Sequence, residues 1–461
     1  MKNVISEVVG NGFCIGCGVC ASQCPTGGLA MEWNVAGEFN PVSADRCLAG
    51  CLLCLSVCPF APEAINETQI AEGLFARVPG IRHRKETGFL LSTHVGYSPT
   101  RKECASGGLA TWLLEKLLVS RQVDAVVCPG PTPDPNRLFS YRVVKTAEDL
   151  RQCRGSAYYP VELSGVISFI LEHPGRYAVT GLPCFIKGLR LASIKNPVLN
   201  ERIAFTVGLV CGQLKSKAYS HYLASLAGVE GPLASVHFRG KDPGQPASNY
   251  FFSCENTSGK SGRLFWNQGV SQAWLSRWFT PQACLFCDDV FAETADIVFM
   301  DAWLPEFVKN PAGTSLVLSR NKRLTEILEE AGVSAEIDLK KIPVEKVIQS
   351  QAGVLKAKRK DLAIRLRKRE EDGLPSPKKR VSASYSFPGD YLARIEQAIL
   401  SRMAERSREL VTAHGIESLD AGKVQASMTS DLARLRRLQQ LRGILGIPGR
   451  ILRKFGFRRN A

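Results

Sequence analysis

No stretch of this 461-residue chain reaches the roughly 18–20 consecutive apolar residues that a membrane-spanning helix needs. Met1–Gly10 carries Glu7 and has no apolar core, so a secretory signal is not expected either. The nucleotide and hydrolase signatures G-x-G-x-x-G, G-x4-G-K-[ST] and G-x-S-x-G are all missing, which leaves a Rossmann-type nucleotide site unsupported. Ser258-Gly259-Lys260-Ser261 lacks the frame of a phosphate loop and reads as a hairpin turn. Histidine is scarce: His83, His94, His173, His221, His237 and His414 show no ligand spacing, and each reads as an ordinary surface or capping residue. With 45% hydrophobic residues the chain is ordinary for a core-burying protein, so pervasive disorder and a disulfide-stapled miniature are excluded. These absences predict a soluble, cytoplasmic protein of two or three domains.

What is abundant is cysteine and positive charge, and both are unevenly placed. Eight of the sixteen cysteines fall within the first 58 residues. The net charge of +16 divides into −5 for residues 1–75, +7 for 76–350 and +14 for 351–461. Clustered cysteines in an intracellular chain point to metal ligation rather than disulfides.

The head reads Cys14-x2-Cys17-x2-Cys20-x3-Cys24-Pro25 and then Cys47-x3-Cys51-x2-Cys54-x3-Cys58-Pro59. The first run has the spacing of bacterial ferredoxins, in which the fourth cysteine ligates the other cluster. Cys14, Cys17, Cys20 and Cys58 are therefore expected to hold one [4Fe–4S] cubane, and Cys47, Cys51, Cys54 and Cys24 a second. Thiolates two residues apart wrap a cubane corner by corner, with Gly16 and Gly18 allowing the tight path. A pair of zinc sites also uses Cys-x2-Cys pairs but has no use for a third thiolate two residues on. The second run carries one residue more than usual, Leu48-Ala49-Gly50 standing between Cys47 and Cys51, and Gly50 is the place to absorb it. Two such clusters with no pocket of their own pass single electrons.

Between about Gly88 and Ser350 short apolar runs alternate with helical ones. Residues 123–128, 177–180 and 203–210 read as buried strands; Leu109–Val119 and Val161–Leu171 have helical spacing. The fold expected is α+β: a small ferredoxin-like head (1–75), a mixed α/β body (85–350) and a basic helical tail (351–461).

Across about residues 95–320 stand, in this order, Ser106-Gly107-Gly108, Gly155-Ser156-x-Tyr158, Gly181-x-Pro183-Cys184, Cys211, Phe238-Arg239-Gly240-Lys241, Cys284-x-x-Cys287-x-Asp289, Ala295-Asp296-Ile297 and Gly313-Thr314-Ser315. In these pieces the chain resembles the beta subunit of coenzyme F-420-reducing hydrogenase and its relatives. A ferredoxin head is a common N-terminal fusion in that family. Two positions depart from it: Ala157 stands where the family usually has Lys, and Met300 where it usually has Gly. The resemblance implies an iron–sulfur flavoprotein oxidoreductase. FAD in the body would exchange a hydride with F-420 or another carrier, and single electrons would pass through a nearby cubane to the head. The alternative is an electron relay with no substrate of its own, supplying a separate catalytic partner, and a redox protein partner is expected in either case.

The flavin is expected near Ser106, Gly107, Gly108, Ser156, Gly181 and Thr314, with Arg239 and Lys241 as candidates for phosphate or acidic-substrate pairing. Eight cysteines lie outside the head. Cys184, Cys211, Cys284 and Cys287 stand in motif positions, and four is the number a third cubane needs. Cys104, Cys128, Cys153 and Cys254 read as core or surface thiols. No catalytic acid or base is identified, in keeping with chemistry carried by cofactors.

In the tail, Lys356–Arg369 packs eight cations into fourteen residues, and a Pro/Ser-rich linker, 374–380, follows. Two helices are expected near Tyr391–Ala413 and Ser430–Leu445, broken at Gly446 and Pro448. Ile451, Leu452, Phe455 and Phe457 then alternate with arginines and a lysine. Such an end suits an anionic membrane surface, an acidic protein partner or packing back on the body, and nucleic acid least.

Overall fold

The computed structural model describes residues 2–43, 46–385 and 391–454. In the body, eight strands form one mixed sheet in the order Asp338–Lys341, Ser92–Tyr97, Ser315–Ser319, Ile297–Asp301, Ile203–Leu209, Tyr177–Gly181, Ala125–Pro131, Phe139–Val144. The four strands from Ile297–Asp301 to Ala125–Pro131 run parallel to one another, and the remaining pairings are antiparallel. The parallel strands are near-continuous apolar runs because both faces of the sheet are covered. A second sheet, Leu233–Gly240, Phe251–Asn256 and Ser261–Phe265, is antiparallel, and the Ser258–Ser261 segment closes its second hairpin as expected.

The helix Leu109–Val119 has the bounds that its spacing indicates, while the next one begins later than its apolar pattern, at Ser164, and ends at Glu172. Val161 and Leu163 are buried but precede the first helical turn, so the pattern marks packing there rather than helix.

The head adds an antiparallel hairpin, Leu29–Trp33 with Phe39–Ser43, and the helix Glu67–Phe75, closed at its start by a capping box between Asn66 and Gln69. It does not have a core of its own. Val4, Phe13, Val19 and Phe60 from the head pack with Phe185 and Leu189 from the body and with Leu362 and Leu366 from beyond residue 350 in one apolar cluster.

The tail differs most from its charge pattern. Helices Val344–Ser350, Ala352–Lys358 and Lys360–Glu371 lie against the body, and Lys358 and Arg365 are 4% and 5% exposed instead of forming a solvated basic face. The Pro/Ser-rich stretch is a packed strap whose Lys379 and Arg380 reach buried carboxylates. The helices Tyr391–His414 and Ala421–Lys454 form a pair. Their apolar stripe, including Met403, Val411, Met428, Leu435 and Leu438, buries against Tyr222 and Trp278. The last helix runs through Gly446 and Pro448 to Lys454 rather than breaking there; one proline removes a single rung of the hydrogen-bond ladder, and the turns on either side keep theirs. Phe455, Phe457, Arg458 and Arg459, part of the basic end, lie outside the described residues. Among the described residues no helix is long and apolar enough to cross a membrane.

Candidate functional site

Parallel strands side by side deliver their following loops to one place. Gly181 at the end of Tyr177–Gly181 pairs in register with Gly208 of Ile203–Leu209. Cys184 and Cys211 each stand three residues beyond that pair, on the carboxyl side of the sheet where α/β folds place ligands. Pro183 and Cys184 open the helix Pro183–Lys195. Cys284 sits in the short helix Gln282–Leu285, and Cys287 follows it.

The four thiols are buried together. Burial raises Cys184 well above an ordinary thiol, and the charges of Cys287, Cys211 and Cys284 add to it. Burial likewise pushes Cys211 up to about 11 and Cys284 up to about 12. Donors point at the sulfurs: the Leu214 N–H lies 3.3 Å from Cys284 Sγ, and Lys358 Nζ lies 3.1 Å from Cys287 Sγ and 2.7 Å from the Asp289 carbonyl. Such a donor set suits an anionic sulfur site holding an iron–sulfur cluster, because buried thiols lose their protons only against nearby positive charge. Arg365 donates to the Leu285 carbonyl at 2.7 Å, and the buried Arg320 guanidinium donates to the carbonyls of Thr87, Phe89, Phe291, Ala292 and Ala295, which fixes the loop after Cys287.

In the head, the Gly16 N–H approaches Cys14 Sγ at 3.4 Å. Cys17 is raised by burial and then by the charges of Cys58 and Cys14, and Cys20 by burial and then Cys17, Cys58 and Cys14. Cys58 thus lies near Cys17 and Cys20, and Cys54 is also a neighbour of Cys20. Cys54 is raised by burial, with Cys47 and Cys51 as its charged neighbours. Cys24 opposes a desolvation penalty with the Thr26 side chain 3.5 Å away and with hydrogen bonds from the N–H groups of Thr26, Gly28 and Gly27, which together hold its thiol low. The Thr26 hydroxyl in turn donates to the Arg46 carbonyl at 2.8 Å, tying this turn to the residue before Cys47. Gly50 takes φ +76° with open space around it, and the Cys51 N–H closes a turn onto the Leu48 carbonyl, so the inserted residue is absorbed at Gly50. Among the described residues no three thiols or carboxylates are drawn tightly enough together to hold a single metal ion.

Head and body sites adjoin. Tyr141 is buried with Cys184 and Cys17 among its charged neighbours, and Phe13, beside Cys14, meets Phe286, beside Cys287, edge to face at 5.5 Å.

A shallow, solvent-open cleft lies at the carboxyl end of the same sheet, lined by Ser106, Arg239, Lys241, Trp303 and Thr314 among others. Asp301 ends the strand adjacent and parallel to the one that leads to Cys211, so cleft and thiols are neighbours at one end of the sheet. Ser106-Gly107-Gly108 and Gly313-Thr314 meet at its base, where the Ser106 hydroxyl donates to the Thr314 carbonyl at 3.0 Å. Gly107 and Gly108 back this wall without lining the cleft. Of the residues expected at the flavin, Gly181 lies instead beneath Cys184 against Ile186, and Ser156 sits beside Tyr158; neither lines the cleft.

The two cations are not free to bind a phosphate. Arg239 makes a bidentate pair with Asp301 at 2.7 and 2.9 Å beneath the rings of Tyr250 and Trp303. Lys241, lowered by burial to about 8, gives its three ammonium hydrogens to the carbonyls of Arg101, Ser106 and Ala312 at 2.5–2.7 Å. It is a clamp on three loops.

Sequence reasoning missed Lys358, Lys379 and Arg380, since a cation inside a basic run carries no sign that it is buried. Asp288 and Glu293, their neighbours, follow Cys287 closely and were the available hint: carboxylates next to buried cysteines need cations from somewhere.

Known proteins resemble the chain over most of the segments that carry these residues. Residues 13–61 match a 4Fe-4S dicluster domain, residues 93–168 the N-terminal part of the coenzyme F-420 hydrogenase/dehydrogenase beta subunit, and residues 175–345 its C-terminal part. One component of the F(420)H(2) dehydrogenase of Methanosarcina mazei is 26% identical over 219 residues, covering 46% of this chain and 56% of that protein. The coenzyme F-420-dependent sulfite reductase of Methanocaldococcus jannaschii is 24% identical over 356 residues, covering 73% and 49%. The chain thus spans about half the length of these curated relatives. A solved structure of the F-420-reducing [NiFe] hydrogenase complex from Methanosarcina barkeri shares 18% identity at a TM-score of 0.48, covering 65% of this chain and 98% of that one. With the dicluster domain first and both parts of the beta subunit following in order, the chain belongs to the family of the coenzyme F-420 hydrogenase/dehydrogenase beta subunit.

Proposed function

We propose that this protein is an iron–sulfur flavoprotein oxidoreductase that passes electrons between a hydride carrier, F-420 or a similar deazaflavin, and a chain of [4Fe–4S] clusters. The observation that carries the reading is the convergence of Cys184, Cys211, Cys284 and Cys287 in one buried site at the cleft's end of the sheet, with the Phe13–Phe286 ring contact joining the head to the segment that holds Cys287. On this reading Cys14, Cys17, Cys20 and Cys58 hold one cubane, Cys24, Cys47, Cys51 and Cys54 the next, and the four body cysteines a third.

The cleft suits the ring end of an FAD. Its apolar side is the Tyr250 and Trp303 wall, and Ser106, Thr314 and the backbone at Gly313 supply polar groups. Bound there, a flavin supplies the junction between two-electron hydride chemistry and single-electron transfer. The chain's own residues orient and enclose it. Lys241 holds the three loops of the floor, Arg239 and Asp301 neutralise each other under the aromatic wall, and Ser350 and Gln351 donate to the Asp301 carbonyl at 3.1 Å to fix the far side. F-420 is the first carrier to try because both curated relatives are named for it. An electron relay without its own substrate is the second reading, since the chain spans only about half of those relatives.

The test is anaerobic purification of the full chain with iron, sulfide and flavin quantitation, followed by F-420-dependent dye reduction. About twelve irons and one FAD per chain are expected. About eight irons remove the body cluster, iron without flavin after FAD reconstitution sinks the oxidoreductase reading, and full cofactors with no carrier oxidised favour the relay.

A further inference from the structure

Lys358 belongs to the basic tail by sequence, and it lies beyond residues 175–345, where the family match ends. In space it is part of the cysteine site. The helix Ala352–Lys358 ends there and carries the side chain inward until it is 4% exposed. Its ammonium donates to Cys287 Sγ at 3.1 Å and to the Asp289 carbonyl at 2.7 Å. The position is held from both sides. Ser350 and Gln351, just before this helix, are bonded to the Asp301 carbonyl at the cleft, and Arg365, just after it, donates to the Leu285 and Ala357 carbonyls at 2.7 and 2.8 Å. One continuous segment therefore reaches from the cofactor cleft to the cysteine pair and places a single cation against a sulfur.

A buried lysine is costly unless it meets negative charge. The nearby carboxylates Asp288 and Glu293 have cations of their own, Lys379 and Arg380 for the first and Arg359 and Arg380 for the second, which leaves the cysteine site, with the Asp289 carboxylate beside it, as the anion that Lys358 faces.

We propose that Lys358 sets the reduction potential of the body cluster, its ammonium hydrogen-bonding the Cys287 sulfur and favouring the reduced, more negative state. The inference rests on the reading that Cys184, Cys211, Cys284 and Cys287 hold a [4Fe–4S] cluster. The step it acts on is balanced simply: one electron enters the cluster, no bond forms or breaks, and the cation stays in place. Charge and hydrogen bonding at the sulfurs are among the factors that set such potentials, and a water-excluded site leaves them poorly screened. The cation makes this cluster a better acceptor for electrons arriving from the cleft, and Lys358 acts as a positioning and tuning residue rather than a catalytic one.

The experiment compares wild type, Lys358→Met and Lys358→Arg as full-length, anaerobically purified chains. Iron is counted, and each cluster is titrated against potential by electron paramagnetic resonance. In Lys358→Met the reduced-to-oxidised ratio of one cluster is expected to fall at least tenfold at fixed potential, a shift of about 59 mV for one electron. Lys358→Arg is expected to stay within threefold of wild type, and the head clusters should not move. Lys358→Met with about twelve irons and unmoved potentials overturns the proposal. If Lys358→Met retains only about eight irons, Lys358→Arg decides: recovery of the full count supports a required cation, and equal loss overturns it. A wild type with about eight irons would instead remove the site itself, and with it the reading on which the proposal rests.

Discussion

Arg380 joins three parts of the chain at one point, and removing it has a consequence that the structure sizes. Its guanidinium meets Glu293 at 2.6 Å, Asp288 at 3.3 Å and Glu67 at 3.5 Å, and donates to the Thr68 hydroxyl at 3.2 Å. All three carboxylates are nearly inaccessible, so water cannot replace the lost partner. Deleting one member of an isolated buried pair costs about 3–5 kcal/mol. Here each carboxylate retains another cation: Arg359 at 3.0 Å for Glu293, Lys379 at 3.9 Å for Asp288 and Lys187 at 3.2 Å for Glu67. The loss is therefore closer to two charge-assisted hydrogen bonds at the low end of their range, about 3 kcal/mol in all. Arg380→Met is expected to open the strap and the adjacent helix Glu67–Phe75 locally, raising amide hydrogen exchange in residues 67–75 and 377–384 roughly a hundredfold. Arg367→Ala, which removes only exposed pairs with Glu370 and Glu371, is the control and should change exchange by less than about threefold. Exchange in Arg380→Met within threefold of wild type at both segments would refute the claim that this network fastens head and tail to the body.

Two other perturbations follow from the same kind of reasoning. A Cβ on Gly107 would stand 2.4 Å from the Ser315 nitrogen and 2.7 Å from the Gly96 carbonyl, both rigid backbone, so Gly107→Ala should destabilise the body by about 1–3 kcal/mol; an unchanged melting temperature would contradict this packing. His221 is buried in the helix Lys217–Leu226 and held at about 4 by desolvation and then by Lys217, so the unfolded chain takes up its proton first as pH falls below 6.5. Stability present above pH 6.5 is therefore lost toward pH 4, amounting to about 1.3 kcal/mol between pH 7.5 and 5.5. His221→Phe should lose that part of the pH dependence in urea unfolding followed by tryptophan fluorescence, and an identical pH dependence in both proteins would exclude it.

Short-range chemistry was legible along the chain. The spacing of the eight head cysteines, the glycine that absorbs the extra residue at Gly50, the hairpin at Ser258–Ser261 and the helix Leu109–Val119 each depend on residues within a turn or two of one another, where backbone geometry and local hydrogen bonding decide the outcome. The motif cysteines of the body were visible too, though only the register of two neighbouring strands brings Cys184 beside Cys211. What the sequence could not reveal was the state of its cations. Lys241 and Arg239 look like phosphate ligands but are engaged by carbonyls and by Asp301; Lys358, Lys379 and Arg380 look like solvated tail residues but are buried among sulfurs and carboxylates. The physical reason is the same in each case. A cation's role is set by which anion or dipole lies within about 4 Å of it and by how much water is excluded there. Both are properties of segments 62 to 140 residues apart in the chain, brought together only by the folded core.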